Sequence, residues 1–255
     1  MAGPPRRVVS LVPSLTEAVA VSAPGLLVGA TDYCVEPGEL DVARVGGSKY
    51  PSVQRVLALR PDLVLANVEE NRREDVAALR AAGVAVWVSY PRTVPQALDS
   101  LRRLLAALGA GVPDWRAAAE LSWTGPETVT GVDPGPARRR AVVPVWRRPW
   151  VVLGPATFAG DLLRRLGVDN LYDDGPADDD ADRYPRPGLD EILGRRPELV
   201  VLPDEPYRFT ADDGPEAFPG LPCALVSGRH LTWYGPSLAQ ARAVLTAQLA
   251  GARPA

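Results

Sequence analysis

Val56-Leu-Ala-Leu-Arg-Pro-Asp-Leu-Val-Leu65 and Ile192-Leu-Gly-Arg-Arg-Pro-Glu-Leu-Val-Val-Leu202 are one phrase written twice. Each copy reads as the end of a short helix, an Arg-Pro-acidic turn and a strand buried on both faces, because a short apolar run bounded by turn residues suits a parallel sheet. The prolines Pro61 and Pro197 stand too far apart for a solenoid repeat and at the spacing of two ordinary domains. Two similar lobes with a cleft between them are expected.

The same grammar continues outward. Val8 to Val12 is a short apolar strand, followed by Pro13-Ser14 and a helical stretch from Thr16 that Ser14 is placed to cap. Val84 to Val88 is another strand, preceded by a helix over Arg72 to Ala82 with Gly83 as its stop. From Val94 the apolar residues Leu98, Leu101, Leu104, Leu105 and Leu108 recur at three- and four-residue spacing, and the pattern resumes from Pro113 to Trp123. A strand over Ala141 to Trp146, a helix over Thr157 to Leu166, strands over Leu199 to Leu202 and Cys223 to Val226, and a helix from Pro236 to about Ala250 follow. Asp173 to Pro187, rich in Asp, Pro and Gly, reads as a loop. The fold class is α/β: an N-terminal lobe over 7–92, a connector helix region over 93–123 and a C-terminal lobe over 138–250, each lobe with a parallel sheet.

At 255 residues and 46% hydrophobic content the chain can bury one large or two modest cores. A net charge of -3 leaves no basic footprint for nucleic acid. Cys34 and Cys223 fall in different halves, where a disulfide would staple the lobes together, so reduced thiols are expected. After Arg6-Arg7 the apolar run is broken by Pro13, Ser14, Thr16 and Glu17, which is not a secretory signal, so the chain as written is cytoplasmic. A misassigned start codon would make it extracytoplasmic. No apolar run reaches the roughly 20 residues that cross a bilayer.

Arg7-Val-Val-Ser-Leu-Val-Pro-Ser-Leu-Thr-Glu17, Thr31-Asp-Tyr-Cys34, Val45-Gly-Gly47, Leu57 to Leu65, Pro144-Val-Trp-Arg-Arg-Pro-Trp150 and Leu231-Thr-Trp-Tyr-Gly235 together resemble the helical-backbone metal receptors. These are cobalamin- and ferric-siderophore-binding proteins of the class III periplasmic-binding type, and the resemblance runs from about Arg7 to about Ala250. It implies two α/β lobes joined by one long rigid helix, with a metal chelate held between them. It also implies an ABC permease as partner, docked through one surface carboxylate on each lobe, with Glu74 and Asp190 or Glu191 at comparable places. The family is normally exported, whereas this sequence opens only a few residues before its first strand.

A flat chelate held between lobes calls for aromatic faces and a few donors, in loops at the carboxyl ends of parallel strands. The first-lobe candidates are Pro13, Ser14, Tyr33, Cys34, Ser48, Tyr50, Asn67, Glu70 and Tyr90. The second lobe offers Trp146, Arg147, Arg148, Trp150, Glu205, Tyr207, Trp233 and Tyr234. Arg147-Arg148 suits carboxylate, phosphate or catecholate groups, or is a solvated turn. Trp146 and Trp150 serve either as ligand faces or as packing against the connector.

Metal binding by the protein itself has little footing, since His230 stands alone and the cysteines are separated. Cys34 or His230 remains a candidate axial ligand to a metal already held in a macrocycle. Asp173-Asp174, Asp178 to Asp180 and Asp182 lack the spacing of a calcium loop and read as a solvated acidic segment. There is no Gly-x-Ser-x-Gly elbow, phosphate loop or His-x-x-x-His pair, so no enzyme and no intrinsic cofactor are expected. The expected function is reversible binding of a corrinoid, with a ferric siderophore or haem next. The rival is an intracellular interaction protein that kept the fold without the ligand, in which Trp146, Trp150, Trp233 and Tyr50 would pack inside their lobes.

Overall fold

In the computed structural model, which describes residues 3–124 and 138–254, both copies of the repeated phrase end a helix on an arginine in the left-handed region. Arg60 has φ 47 and Arg196 φ 52, and each backbone N–H turns back to a helix carbonyl, Leu57 O at 2.9 Å and Leu193 O at 3.0 Å. This is the position at which a helix is stopped by a reversal of hand, and the following proline prevents continuation. The acidic residue then ties the next strand to its neighbour. Asp62 donates its N–H to Arg7 O, and its carboxylate accepts from the N–H groups of Arg6 and Arg7. Glu198 does the same with Arg140, donating to its carbonyl and accepting its N–H at 2.8 Å. The repeated phrase is therefore a helix stop followed by a strand clamp.

The chain divides into two compact units that interleave along the sequence. The first takes Met1–Tyr90, Ala97–Ala117 and Tyr234–Pro236, and the second takes Pro91–Gln96, Ala118–Trp233 and Ser237–Ala255. The expected blocks 7–92, 93–123 and 138–250 ran consecutively. Sequence periodicity marks elements, and it carries no sign of a three-residue return such as Tyr234–Pro236.

The first unit alternates strands and helices: β1 (Val8–Ser10), α1 (Pro13–Ser22), β2 (Leu27–Ala30), β3 (Ala43–Arg44), α2 (Val53–Ala58), β4 (Leu63–Asn67), α3 (Arg73–Ala81) and β5 (Ala85–Ser89). All strand pairs are parallel, in the order β3-β2-β1-β4-β5. β1 and β4 are buried along their whole length, as unbroken Val/Leu runs demand. Val9, Leu11, Val45, Val56, Val64 and Leu79 form one core around them.

The expected single connector helix is instead two, α4 (Val94–Ala107) and α5 (Asp114–Thr124). The break has a local cause: Gly109 takes φ 72, and Pro113 stands just before the second helix. The periodic residues Val94, Leu98, Leu101, Leu104, Leu105 and Leu108 are all buried, each contributing about 1.5–3 kcal/mol.

The second unit runs β6 (Arg139–Val142), β7 (Pro144–Trp146), β8 (Val151–Val152), α6 (Phe158–Arg165), β9 (Val168–Asn170), α7 (Asp180–Arg183), α8 (Leu189–Gly194), β10 (Leu199–Pro203), β11 (Pro222–Val226), α9 (Gly228–Thr232), α10 (Leu238–Ala250) and β12 (Arg253–Pro254). Its main sheet has the order β12-β11-β10-β6-β9, parallel except where β12 meets β11. The strand expected over Ala141 to Trp146 is split after Val142, because Pro144 has no N–H for a central ladder. The chain leaves the sheet there to form the β7–β8 hairpin. No helix among the described residues is long and apolar enough to cross a membrane.

Candidate functional site

In an open parallel sheet the crevice for a ligand lies beyond the carboxyl ends of the two strands where strand order reverses. In the first unit those strands are β1 and β4, and the crevice is filled by the chain itself. Asn71 accepts the Asn67 N–H at 2.8 Å and donates its amide to Ser48 O at 2.9 Å and Leu11 O at 3.3 Å, tying three loops together. Asn67 takes the N–H of Glu69 at 2.6 Å and donates its amide to the phenol oxygen of Tyr234. Tyr234 is bonded at 2.9 Å to Ser89 Oγ, which donates to Ala66 O at 3.1 Å, so the phenol is the donor in that pair. Next along, Gly235 lies so close to α1 that an added Cβ would sit 2.7 Å from Ser14 O. Asn67 and Tyr234 are buried with their polar atoms committed to each other, and burial pushes the Tyr234 phenol pKa up.

Ser14 and Cys34 lie beneath this layer. Ser14 does not cap α1: Val12 holds that position with Pro13 first in the helix, and the buried Ser14 Oγ has no hydrogen-bond partner among the described residues. Cys34 is fully buried, with Thr16 Oγ1 at 3.0 Å and Thr31 Oγ1 at 3.1 Å, and its burial raises the thiol pKa. A thiol so enclosed does not reach a bound macrocycle.

The outer rim is different. Tyr33 is 67% exposed and Tyr50 is 71% exposed, both unusually open for tyrosines in a chain with few aromatics. Arg72 lies 4.7 Å over the Tyr50 ring and is itself held by Asp75 at 2.9 Å and Glu74 at 3.4 Å. Pro13 at the start of α1 and Ser48, Glu70 and Tyr90 in strand-end loops are half-buried, with Ser48 Oγ 3.2 Å from Thr31 Oγ1. Lys49 donates to Glu69 O at 2.8 Å, closing the loop that carries Tyr50.

In the second unit the order reverses between β6 and β10. The β7–β8 hairpin follows β6 and carries Trp146, Arg147, Arg148 and Trp150; the loop after β10 carries Glu205, Tyr207 and Phe209. Trp146 is 46% exposed, and its ring meets Tyr207 edge-on at 5.5 Å and 76°. Tyr207 packs on Phe209 at 4.7 Å. Trp150, by contrast, lies 6.2 Å from Phe209, stacked, and 5.4 Å from the buried Phe218, so it packs against the core and supports the hairpin.

Arg147 does not point a free cation outward. Its guanidinium pairs with Asp213 through NH1 and with Glu216 through NH2, the latter at 2.5 Å, and lies 5.3 Å over the Trp150 ring. The Tyr207 hydroxyl donates to Asp213 at 2.6 Å and, with Arg147, holds that carboxyl below the usual carboxylate range. Arg148, at φ 70, is exposed.

Beyond β10 and β11, Asp204 accepts the Gly228 N–H at 2.7 Å, and Glu205 packs on Gly228 so tightly that an added Cβ would come 2.3 Å from Glu205 Cγ. Burial, then the adjacent Asp204, pushes the Glu205 pKa up, against a hydrogen bond from Trp233. His230 bonds through Nδ1 to Ser227 Oγ at 2.8 Å, and its Nε2 is enclosed. The residue as a whole is half-buried, unlike the fully buried Cys34. No group of three or more His, Cys, Asp or Glu among the described residues is arranged to hold a metal ion.

Glu74 is exposed in the first turn of α3, and Asp190 and Glu191 are exposed in the first turn of α8, next to the two copies of the repeated phrase. Sequence reading placed Asn71 in the strand-end loop Asn67 to Asn71 as a ligand candidate and not as an organiser, and it missed Asp213 and Glu216 altogether. Nothing local links Asp213 to an arginine 66 positions earlier.

These features define a two-unit α/β protein with parallel sheets. The chain belongs to the periplasmic binding protein family, whose pattern matches residues 8–217. It is 25% identical over 212 residues to the vitamin B12-binding protein of Pectobacterium carotovorum subsp. carotovorum, covering 81% of this chain and 74% of that one. Among solved structures it is similar to the periplasmic vitamin B12 binding protein of Vibrio cholerae, with TM-score 0.74, 18% identity and 97% of each chain covered. It is also similar to a periplasmic heme binding protein of Pseudomonas aeruginosa, with TM-score 0.76, 24% identity, 98% of this chain and 95% of that one covered.

Proposed function

We propose that this protein reversibly binds a metal-chelate small molecule, a corrinoid before a ferric siderophore or haem, as the substrate-binding component of an ABC-type uptake system or a cytoplasmic homologue of one. The observation that carries the reading is the exposed Trp146 edge-on to Tyr207 at the β6/β10 switch point, a flat apolar face where parallel sheets take their ligands. The exposed Tyr50 and Tyr33 rings give the first unit a face of the same kind. The vitamin B12-binding relatives favour a corrinoid over the other chelates. Glu74, with Asp190 or Glu191, is the carboxylate pair offered to a permease.

Titration with cyanocobalamin, haemin and a ferric hydroxamate, followed by tryptophan fluorescence, tests the reading. Saturable quenching that Trp146→Ala weakens supports it, and no saturable response to any of the three sinks it. An interaction protein that had lost its ligand would bury these aromatics. Trp150 is packed in that way, while Trp146 and Tyr50 stay open to a partner.

A further inference from the structure

Four groups around the β7–β8 turn form a closed electrostatic unit. Both Asp213 oxygens are used, one by Arg147 and one by the Tyr207 hydroxyl. Both Glu216 oxygens are used, one by Arg147 and one by the Gly214 N–H at 2.5 Å. The Arg147 side chain is only 13% exposed. Arg147 and Arg148 carry two positive charges, and Asp213 and Glu216 cancel them. A ligand carboxylate reaching Arg147 would have to displace two carboxylates already aligned with it, leaving each without its guanidinium partner. The same unit positions the platform, since Tyr207 touches Trp146 while Arg147 covers Trp150.

We infer that Asp213 and Glu216 are specificity-determining residues: as built-in counter-anions to Arg147 they make this edge accept chelates with an uncharged, amide-rich periphery and reject chelates with an anionic one. The inference rests on the proposed receptor function and narrows its substrate class. An edge meant for propionates or catecholates would leave its guanidinium fork open. Here the fork is closed by the protein.

Cyanocobalamin is uncharged overall, and hydrolysing its peripheral amides gives carboxylic acids of the same shape and different charge. The wild type should bind the parent about tenfold or more tightly than the acids, the order expected for a misplaced charge. Asp213→Asn/Glu216→Gln should shift the ratio of acid to parent affinity about tenfold toward the acids. Glu216→Gln alone removes a half-exposed carboxylate on a short turn and should give a partial gain, with its melting temperature reporting the fold. Equal binding of parent and acids by the wild type, or a ratio unmoved in both variants, overturns the inference and leaves the receptor function standing. Absence of saturable binding of either ligand to the wild type overturns that function and the inference with it.

Discussion

Asn67 donates its side-chain N–H to the phenol oxygen of Tyr234, a residue 167 positions later in the chain. Hydrogen-bond donation runs one way, from Asn67 to Tyr234 to Ser89 to the Ala66 carbonyl, because Ser89 spends its only proton on that carbonyl. Both residues were candidates for ligand contact, and the fold uses them as a brace. Removing the central oxygen with Tyr234→Phe leaves a buried amide N–H and the Ser89 oxygen without a partner. Stability should fall by about 1–3 kcal/mol. Urea unfolding of the variant measures this, and Tyr33→Phe, at an exposed ring, is the control that should not move. A Tyr234→Phe midpoint equal to wild type would remove the brace.

Tyr50 and Trp146 should behave in the opposite way. Their rings are exposed, so Tyr50→Ala and Trp146→Ala should leave the melting temperature nearly unchanged and weaken cyanocobalamin binding by about tenfold each, the order of 1.4 kcal/mol. Calorimetric titration beside a thermal melt separates the two effects. If the melting temperatures drop and affinity holds, these rings are packing residues.

Glu205 supplies a pH signature. Its folded pKa lies above the ordinary value of 4.5, mainly because burial disfavours the charge and Asp204 adds repulsion. A carboxyl with a raised folded pKa favours the fold while protonated, and that contribution is lost as pH rises through the folded value. Glu205→Gln, which mimics the protonated form, should therefore raise the melting temperature at neutral pH by about 2–4 °C. The advantage should fade as pH falls through the raised folded value and be gone below 4.5. Melting curves of both proteins from acid to neutral pH decide it, and a Gln advantage that grows toward acid would reverse the sign.

Gly228 should tolerate no side chain. A Cβ there meets the Glu205 backbone oxygen at 2.7 Å and backbone nitrogen at 2.9 Å as well as its Cγ, so strand end and helix start would have to part. Gly228→Ala should cost about 1–3 kcal/mol, as overpacking does. Gly194→Ala, where nothing lies within 4 Å, should cost far less. Equal unfolding midpoints for the two variants would contradict the close approach.

The alternation of apolar strands with helical periodicity was enough to read the α/β class, since β1, β4 and β10 are buried throughout and Val94 to Leu108 turns one apolar stripe inward. Short elements escaped that reading: β3 and β12 have two residues each and no period to detect. The strand-end rule found the exposed Trp146 and the half-buried Tyr207 beside it. It gave equal weight to Trp150 and Tyr234, because a ring's sequence position says nothing about whether Phe218 or Ser89 is waiting for it. The partners of Arg147 lay further out of reach, for an ion pair that closes over a long loop leaves no local pattern.

The return of Tyr234–Pro236 to the first unit has a consequence for anyone dividing the gene. A stop codon placed after α5 would yield a fragment whose Asn67 and Ser89 face water where Tyr234 should be. A fragment beginning at β6 would carry an orphaned tyrosine and lack Pro91–Gln96. No cut between the two units gives self-sufficient halves, so a split pair divided between Thr124 and Arg138 should recover its fold only when both pieces are expressed together.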